Sequence, residues 1–577
     1  MNSYKDYMTN FSQSDLRGYL GDNIIDLLVE WMPSGDTLLT KRRMISMIDS
    51  LYGFSMLKNK QFRKDLLQSM ETSDIIGIRD ACLTGKERKE TNPEIIIDIV
   101  SNKAWGRNQV SYYLMKLWDV PETVVDKIVD ETIIENVIEA DEEQFYELLD
   151  YQYYIRQRVL SNLNSNYMQE RMLIHMPTGT GKTKTSMHII TNYINFTLHK
   201  KGVVIWIAHT TELLQQAYDT FVSVWKHLGD GKISAYKLWG NKIITDIDNG
   251  LNGIIFCGLS KLMSISSSNP NLFERLKKDC RLVVFDEAHK AAATRTKNVI
   301  EDLMLMPDGY ENRALIGLTA TPGRTTIDSF DNKLLADMFG DKLIYIDSGI
   351  LNQINYGKLK ALNTMAENNI IKYFQERRIL AKMVPQRLKY KHEFSEQDLK
   401  ILSSSLRNMG YDDKEYTKAQ LKVLAENKER NMAIMKQLRQ LYMDNKPTIV
   451  FACSLDHAKM LSAMLTLEEI PNSLVYGDMS QIERKKAIDD FKNKQCNVNI
   501  IINYDVLTTG FDSKNIKCVF ITRPTKSIVL YSQMIGRGLR GPLMGGNEEC
   551  LLIDIDDNLD SFDNETAFIH FNDYWRI

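Results

Sequence analysis

A glycine-bearing turn followed by lysine and threonine is the first set of residues whose types and spacing could do chemistry. Residues 172–176 are apolar and predict a buried strand, and we expect a helix to begin near Lys182. Between them, Gly179 and Gly181 let backbone N–H groups point inward at an anion, which the helix dipole also attracts. Lys182 would then reach the outer phosphates of a nucleotide, and the Thr183 hydroxyl would bind Mg²⁺.

This turn matches the phosphate-loop pattern G-x-x-x-x-G-K-[ST] except at its start, where Met176 replaces the first glycine. Taken alone, a basic turn that contains glycine remains an alternative interpretation, because short motifs also occur by chance. The residues that we expect around the phosphates are Thr178, Gly179, Thr180, Gly181, Lys182 and Thr183.

Two adjacent carboxylates follow a second apolar run about a hundred residues downstream. Residues 282–285 predict a buried strand, and its carboxyl end is where ligands bind in open α/β sheets. Asp286 could hold Mg²⁺ beside Thr183, and Glu287 could orient or deprotonate a water that attacks the γ-phosphate. Acidic residues also cap strands without any catalytic role, but a phosphate loop upstream favours the catalytic interpretation.

The elements that must position these residues are apolar strands alternating with helices. Continuous Val- and Ile-rich runs are typical of parallel sheets covered on both faces. We therefore expect an α/β fold with two parallel sheets. The candidate strands are residues 172–176, 202–208, 253–257, 282–285 and 314–318, then 448–452, 473–475, 498–502, 519–521 and 550–553.

The 577 residues exceed what one core can organise, so we expect several domains. The predicted division is a helical accessory domain at 1–140, a first α/β domain at 141–345, a helical linker at 346–445 and a second α/β domain at 446–577. The linker is rich in Lys and Arg. It is either a solvated helical connection or a surface that contacts phosphates.

Composition is that of an ordinary globular protein, with 44% hydrophobic and 25% charged residues. The net charge of −3 gives no global sign of nucleic-acid binding, although a local groove can still be positive. The seven cysteines are dispersed, mostly in apolar runs, which favours buried thiols over zinc ligands or disulfides. With no apolar segment of secretory or membrane-spanning type, we expect a cytoplasmic protein without a membrane partner.

The run from Asp286 to His289 reads Asp-Glu-Ala-His and resembles the DEAH signature of superfamily 2 helicases. The resemblance covers residues 145–556 and is best with the restriction-subunit-like and repair-translocase branch. It implies two RecA-like motor domains that use ATP and Mg²⁺. It also implies that Gln152, in Leu-Asp-Tyr-Gln, reads the adenine edge, with Gln157 as a weaker rival.

Further motifs of the family occur in order along the chain. The nucleic-acid contacts that the resemblance implies are His209, Thr210, Gly258, Thr319, Thr321, Arg324 and Thr508. Gly258 stands where the family often has threonine. Gly510 and Asp512 resemble the segment that touches both nucleic acid and nucleotide.

The run from Gln533 to Arg540 resembles the arginine-finger motif of the second motor domain. Arg537 and Arg540 are three residues apart, so on a helix they would share one face. Both could then point across a cleft at the γ-phosphate, where positive charge stabilises the transition state.

The resemblance implies an ATP-dependent DNA helicase or translocase. Two alternatives stay open: an RNA helicase, and a nucleotide-gated sensor or clamp that acts through a partner protein. Relatives often carry a nuclease domain beyond the motor, and we expect none after Asp556, so that a nuclease, if one is involved, would be a separate protein. We therefore expect a separate nuclease, or another partner protein, to dock through the N-terminal helical domain.

Overall fold

The computed structural model describes most of the chain in ordered ranges. These are residues 3–31, 39–124, 135–141, 146–164, 169–240, 242, 244, 250–291, 293–305, 313–323, 330–347, 350, 370–391, 394–403, 415–508, 510–511 and 513–556. Two predicted site residues, Arg324 and Asp512, lie outside them.

The N-terminal part of the chain is helical, as expected. Its helices begin with polar caps; Ser12, for example, accepts a hydrogen bond from the backbone N–H of Asp15. The helices are α1 Tyr4–Met8, α2 Gln13–Leu20, α3 Asp22–Trp31, α4 Lys41–Tyr52, α5 Lys60–Gln68, α6 Thr72–Cys82, α7 Pro93–Asn102 and α8 Gln109–Leu117.

The described residues of the first lobe form an eight-stranded sheet flanked by seven helices. Its strands are β1 Glu135–Glu139, β2 Gln169–His175, β3 Val203–Ala208, β4 Lys232–Leu238, β5 Gly253–Gly258, β6 Cys280–Asp286, β7 Arg313–Thr319 and β8 Leu343–Ile344. Its helices are α9 Asp150–Leu163, α10 Lys182–Asn192, α11 Thr211–Leu228, α12 Leu259–Ser268, α13 Pro270–Asp279, α14 Thr294–Met304 and α15 Phe330–Met338.

The strand order of this sheet is β1-β4-β5-β3-β6-β7-β2-β8, and all neighbours are parallel except the antiparallel pair β1 and β4. Every residue of β3 is buried, because alternate side chains enter two different cores. Val203 faces one core and Val204 the other. Burial of both faces explains why the sequence reads as a continuous apolar run.

The second lobe is a six-stranded parallel sheet with the order β11-β12-β10-β13-β14-β9. Its strands are β9 Lys382–Leu388, β10 Thr448–Phe451, β11 Asn472–Val475, β12 Ile500–Asn503, β13 Cys518–Ile521 and β14 Glu549–Ile555. The helices of the linker and second lobe are α16 Ile370–Glu376, α17 Glu396–Ser403, α18 Lys418–Glu426, α19 Lys428–Met443, α20 Leu455–Leu467, α21 Gln481–Lys492 and α22 Ile528–Ile535.

The expected fold class is confirmed, and all ten candidate strands form. Two strands, however, lie in segments that we expected to be helical. β1 extends the first sheet from within residues 1–140, and β9 extends the second sheet from within the linker. Both are short edge strands with mostly exposed side chains, and β9 contains Pro385. Edge strands lack the continuous apolar run by which buried strands are recognised, and they tolerate proline. The domain boundaries themselves stay predictions.

The linker helix α16 joins the two lobes through specific contacts. Phe374 packs edge-on against Tyr151 of α9, with ring centroids 5.0 Å apart. Arg377 forms a two-point ion pair with Asp150, with both N···O distances at 2.9 Å. The chain then enters β9, which pairs with β14 of the second lobe. The start of α9 is therefore tied to the second lobe through a short segment.

The N-terminal helices dock on the second lobe and share its core. Helix α4 packs against α20, and one apolar cluster runs from the N-terminal helices through α20 to one face of the second sheet. Arg43 lies 3.3 Å from Glu469, and Glu483 accepts a hydrogen bond of 3.1 Å from the Ser55 backbone N–H. Buried residues occur all around α20, as in helices enclosed on every side.

Removing residues 1–124 is therefore expected to destabilise the second lobe, because it exposes an apolar face of α20 to water. The shortened protein should bind a hydrophobic dye and aggregate at temperatures where the full chain remains folded. Thermal unfolding and light scattering of the two proteins measure this. A monomeric shortened protein as stable as the full chain would show instead that the helices form an independent accessory domain.

No helix in the described ranges has both the length and the apolar character needed to cross a membrane. Six of the seven cysteines are buried, and Cys496 is exposed. Among the described residues, no cluster of three or more His, Cys, Asp or Glu side chains is arranged to hold a metal ion.

Candidate nucleotide site between the lobes

The phosphate loop has the predicted backbone geometry. Gly179 and Gly181 have φ values of +87° and +82°, a region that side-chain-bearing residues rarely adopt. The Thr180 hydroxyl donates a 2.7 Å hydrogen bond to the Pro177 carbonyl and closes the turn. Helix α10 begins at Lys182, so its free N–H groups and dipole face the loop.

The two carboxylates lie at the carboxyl end of β6, as expected. Burial raises the pKa of Asp286 to about 7, although the nearby Lys182 ammonium opposes the increase. Burial also raises the pKa of Glu287, but the groups around it, Lys182 foremost and then His289, Arg537 and Lys290, together hold that pKa below its ordinary value. The Lys182 Nζ lies 3.9 Å from a Glu287 oxygen. Glu287 is therefore the ionised member of the pair.

His289 connects the carboxylates to the second lobe. Its Nδ1 lies 3.4 Å from a Glu287 oxygen, and its Nε2 lies 3.2 Å from the side-chain amide nitrogen of Gln533. Burial lowers the pKa of His289 to about 4, so the ring is neutral at neutral pH. These partners assign the proton to Nδ1, because the Gln533 amide donates to Nε2. A single ring thus joins Glu287 to Gln533 across the cleft.

The two arginines reach the cleft, but not along a helix face. Helix α22 ends at Ile535, so the expectation of a shared helix face was wrong: Arg537 lies in the turn that follows the helix, and Arg540 pairs with Leu380 in an isolated antiparallel bridge. The turn brings Gly536 against the phosphate loop, where an added Cβ would lie 2.7 Å from the Thr178 Cγ2. Arg537 donates a 2.5 Å hydrogen bond to the Phe511 carbonyl.

A cavity of about 550 Å³ lies between the lobes and collects most of the predicted nucleotide residues. Its polar lining combines the phosphate loop and carboxylates of the first lobe with arginines of the second. The predicted residues that line it are Thr178, Gly179, Gly181, Lys182, Thr183, Asp286, Glu287, Gly510, Arg537 and Arg540. Nearby, a 2.7 Å ion pair between Glu212 and Arg484 also joins the lobes.

Gln152 is buried beside the phosphate loop. Its side-chain oxygen accepts a 3.0 Å hydrogen bond from the Leu149 N–H, and its amide nitrogen donates a 2.9 Å bond to the Thr180 carbonyl. Gln157, the rival for reading the base, is exposed and bonds the Tyr153 hydroxyl. The structure therefore places Gln152, and not Gln157, against the loop.

Two residues that we expected to touch nucleic acid are enclosed in the core. Thr319 and Thr321 are 0% and 2% exposed. The Thr319 hydroxyl donates a 2.6 Å bond to the Thr321 carbonyl, and it lies 3.4 Å from His289 Nδ1. Both residues follow the end of β7, beside the carboxylates. In this conformation direct contact with a nucleic acid is not open to them.

The other predicted nucleic-acid residues lie at the carboxyl ends of their strands. His209 packs edge-on against Phe285, and its Nε2 is buried with no hydrogen-bond partner among the described residues. Burial, reinforced by Lys290, lowers its pKa to about 4. Thr210 caps α11 by accepting from the Leu213 N–H at 3.3 Å. The remaining two described residues are Gly258, which ends β5, and Thr508, which is half-buried after β12.

The structure adds site residues that sequence reasoning did not assign. His289 belonged to the quoted Asp-Glu-Ala-His run but had no role there, and its position in that run was the available signal. Tyr146 and Met544 also line the cavity, and neither lies in a motif that we assigned. Tyr146 packs on His188 and His227 of its own lobe, whereas Met544 reaches Gly181 from the other lobe, and no local sequence pattern predicts either contact.

Comparison with known proteins agrees with this arrangement. Residues 145–324 match the family model described as the res subunit of type III restriction enzymes, and residues 431–541 match that of the helicase conserved C-terminal domain. The chain therefore belongs to the superfamily 2 helicases, in their restriction-subunit-like branch, and its two lobes are RecA-like.

Three relatives show the range of this likeness. A Saccharomyces cerevisiae protein called "Putative ATP-dependent helicase IRC3" is 26% identical to this chain in the aligned region. That region covers 67% of this chain and 48% of the yeast protein. The type I restriction enzyme EcoKI endonuclease subunit of Escherichia coli is 23% identical, over a region that covers 64% of this chain and 31% of that subunit. The Yarrowia lipolytica ATP-dependent RNA helicase ROK1 is 32% identical, over a region that covers 20% of this chain and 21% of that helicase. The chain spans about half the length, or less, of these relatives.

Proposed function

We propose that this protein is an ATP-driven DNA helicase or translocase, in which hydrolysis between the two lobes moves the motor along the nucleic acid. The observation that carries the proposal is the inter-lobe cavity. It brings Lys182, Asp286 and Glu287 of one lobe opposite Arg537 and Arg540 of the other. This is the charge arrangement that phosphoryl transfer from a nucleoside triphosphate requires.

Each side chain has a definite task in that reaction. The backbone of the phosphate loop and Lys182 hold the phosphates, and the ionised Glu287 orients the attacking water and accepts its proton. Arg537 and Arg540 stabilise the negative charge that grows on the γ-phosphate. Because the triphosphate contacts both lobes, it favours the closed cleft, and its hydrolysis removes that bias.

The donor set also suits Mg²⁺. The buried Asp286 carboxylate, with its raised pKa, needs a compensating positive charge, and the Thr183 side chain lines the same cavity. Thr183 and Asp286 would hold the ion. When bound, Mg²⁺ would neutralise charge on the β- and γ-phosphates.

DNA is the proposed polymer because the first lobe matches a restriction-subunit model and because EcoKI is a restriction enzyme. The shorter match to an RNA helicase supports the alternative. Contacts to the phosphate backbone would make movement largely independent of sequence.

We also propose that the protein is cytoplasmic. A partner protein, such as a separate nuclease, would dock through its N-terminal helices.

One observation favours a second candidate, a nucleotide-gated sensor or clamp. The N-terminal helices share a core with the second lobe, so any partner bound to them would move with that lobe. A strand-displacement assay separates the candidates. Robust unwinding by the isolated protein would dismiss a pure sensor, whereas nucleotide-dependent binding without displacement would support it.

The proposal is tested by the ATP hydrolysis rate in the presence of single-stranded, duplex and forked DNA and RNA. We expect DNA to stimulate hydrolysis and RNA to do so less. Lys182→Ala should reduce the rate to background, and Lys232→Ala, at a lysine that is 65% exposed on β4, should not change it. Hydrolysis that no nucleic acid stimulates, or that persists in Lys182→Ala, would reject the proposed motor.

A further inference from the structure

The N-terminal helices carry a group of basic side chains that no carboxylate neutralises. Its members are all exposed, and within the described ranges none of them forms an ion pair; they are Lys58, Lys60, Lys86, Arg88 and Lys89. We call this group the basic patch. The whole chain has a net charge of −3, so the positive charge of the patch is a local feature.

A buried arginine fixes the first segment of the patch beside the end of α7. Arg63 is 4% exposed, and its guanidinium donates to the carbonyls of Leu57 at 2.7 Å and Lys58 at 3.1 Å. The same guanidinium donates to the carbonyls of Ser101 at 2.8 Å and Lys103 at 3.1 Å. Because an arginine presents its donors in a rigid fork, these bonds hold Lys58 next to Lys103.

The turn that carries the other three basic residues is attached at the same place. The Lys103 ammonium donates to both oxygens of Glu87, at 3.0 and 3.1 Å. Glu87 stands between Lys86 and Arg88 in the chain. The two segments of the patch therefore lie close together, although they are far apart in the sequence.

The carboxylates near the patch already have partners. Glu87 is neutralised by Lys103, and Asp98 on α7 lies 2.7 Å from the Lys64 ammonium. Glu90 accepts hydrogen bonds of 2.9 and 3.0 Å from the two backbone N–H groups that follow it. The five basic side chains of the patch are therefore available to an external anion.

The surface of the patch is polar throughout. In residues 58–61 and 84–89, every exposed residue is polar or glycine. Protein interfaces bury an apolar centre inside a polar rim, whereas contacts to nucleic-acid phosphates need only charge and hydrogen-bond donors. The composition of the patch therefore favours a nucleic-acid backbone over an acidic protein.

The patch is also connected to the motor at its predicted nucleic-acid face. The short helix Gly53–Lys58 carries Ser55, whose backbone N–H donates a 3.1 Å hydrogen bond to Glu483 of α21. The next residue of α21, Arg484, forms the 2.7 Å ion pair with Glu212 of the first lobe. Glu212 lies in the first turn of α11, directly after the predicted nucleic-acid contacts at the end of β3. Few contacts therefore separate the patch from those residues.

We propose that the basic patch binds the phosphate backbone of DNA beside the stretch that the two lobes hold. The inference rests on the proposed function for the choice of polymer. Because the N-terminal helices share a core with the second lobe, the patch moves with that lobe. It gives the motor a contact to DNA outside both lobes, and each phosphate that it neutralises releases counterions.

The test measures, by fluorescence anisotropy, the Kd for a labelled DNA duplex that is long enough to extend beyond both lobes. In Arg88→Ala/Lys89→Ala the Kd should rise about tenfold at low salt, because two phosphate contacts are lost. The slope of log Kd against log salt concentration should fall by about two, close to one for each charge removed.

Lys41→Ala/Arg42→Ala is the matched control for this variant. It removes one lysine and one arginine from exposed positions at the start of α4, the end of that helix farthest from the short helix Gly53–Lys58. The Kd and the salt slope of the control should equal those of the wild type.

A second pair tests the other segment of the patch, in case thermal unfolding shows that the first variant is destabilised. Lys58→Ala/Lys60→Ala should raise the Kd and reduce the salt slope to the same extent. Wild-type Kd and slope in both variants would overturn the inference and leave the patch to an acidic partner protein. An altered Kd with an unaltered slope would also overturn it, because the loss of phosphate contacts must change the slope.

The wild-type rate of ATP hydrolysis with the same duplex separates this inference from the proposed function. Stimulated hydrolysis, together with unaltered DNA binding in both variants, rejects the patch alone. Patch-dependent binding without stimulated hydrolysis rejects the motor alone. A wild-type protein that does not bind the duplex rejects both.

Discussion

Replacing Glu287 by glutamine is expected to lower kcat for ATP hydrolysis by about 10²- to 10⁴-fold while leaving nucleotide binding nearly intact. Glutamine keeps the size of the side chain but cannot accept a proton from the attacking water. The Glu287 carboxylate is ionised because the groups around it, Lys182 foremost, hold its pKa below the ordinary value against the effect of burial. Steady-state hydrolysis and AMP-PNP binding measure the two quantities separately.

Glu274→Gln is the matched control for this change. Glu274 lies on α13 of the same lobe with its side chain 64% exposed, so its loss should leave both quantities unchanged. Equal hydrolysis by wild type and Glu287→Gln would remove Glu287 from its proposed role. A parallel loss of AMP-PNP binding would show that the residue holds the site together without acting on water.

Replacing Arg537 by alanine is expected to lower kcat by about 10³-fold or more, the range found when an arginine finger is removed. The guanidinium lines the nucleotide cavity and is fixed by its 2.5 Å bond to the Phe511 carbonyl. Its charge acts on the transition state more than on bound ATP, so kcat should fall much more than affinity. Arg537→Lys should recover little activity, because an ammonium lacks the planar fork.

Arg387→Ala on β9 of the same lobe is the control, since its side chain is 51% exposed. An unchanged kcat in Arg537→Ala would contradict the arginine-finger role. A rise in KM alone would instead assign Arg537 to nucleotide binding, and the larger effect would then be expected for Arg540→Ala.

Sequence alone was sufficient wherever a function depends on residues that are close in the chain. The phosphate loop, the Asp286–Glu287 pair and ten strands could be predicted because glycine conformations, helix starts and buried runs are local properties. The parallel direction of most strands followed from the alternation of strands and helices, but their order in the sheets did not. These local features also carried the family resemblance, so the motor fold could be predicted from the sequence, whereas the roles of the nucleotide residues stay a prediction.

Tertiary structure decided what depends on contacts between distant segments. The sequence predicted neither the edge strands β1 and β9 nor the burial of Thr319, because exposure on an edge or in a core is set by neighbours elsewhere in the chain. It also gave no sign that His289 would meet Gln533, or that Met544 would meet Gly181. Those pairs form only when the two lobes lie against each other. The spacing of residues within one segment cannot predict a contact between two lobes.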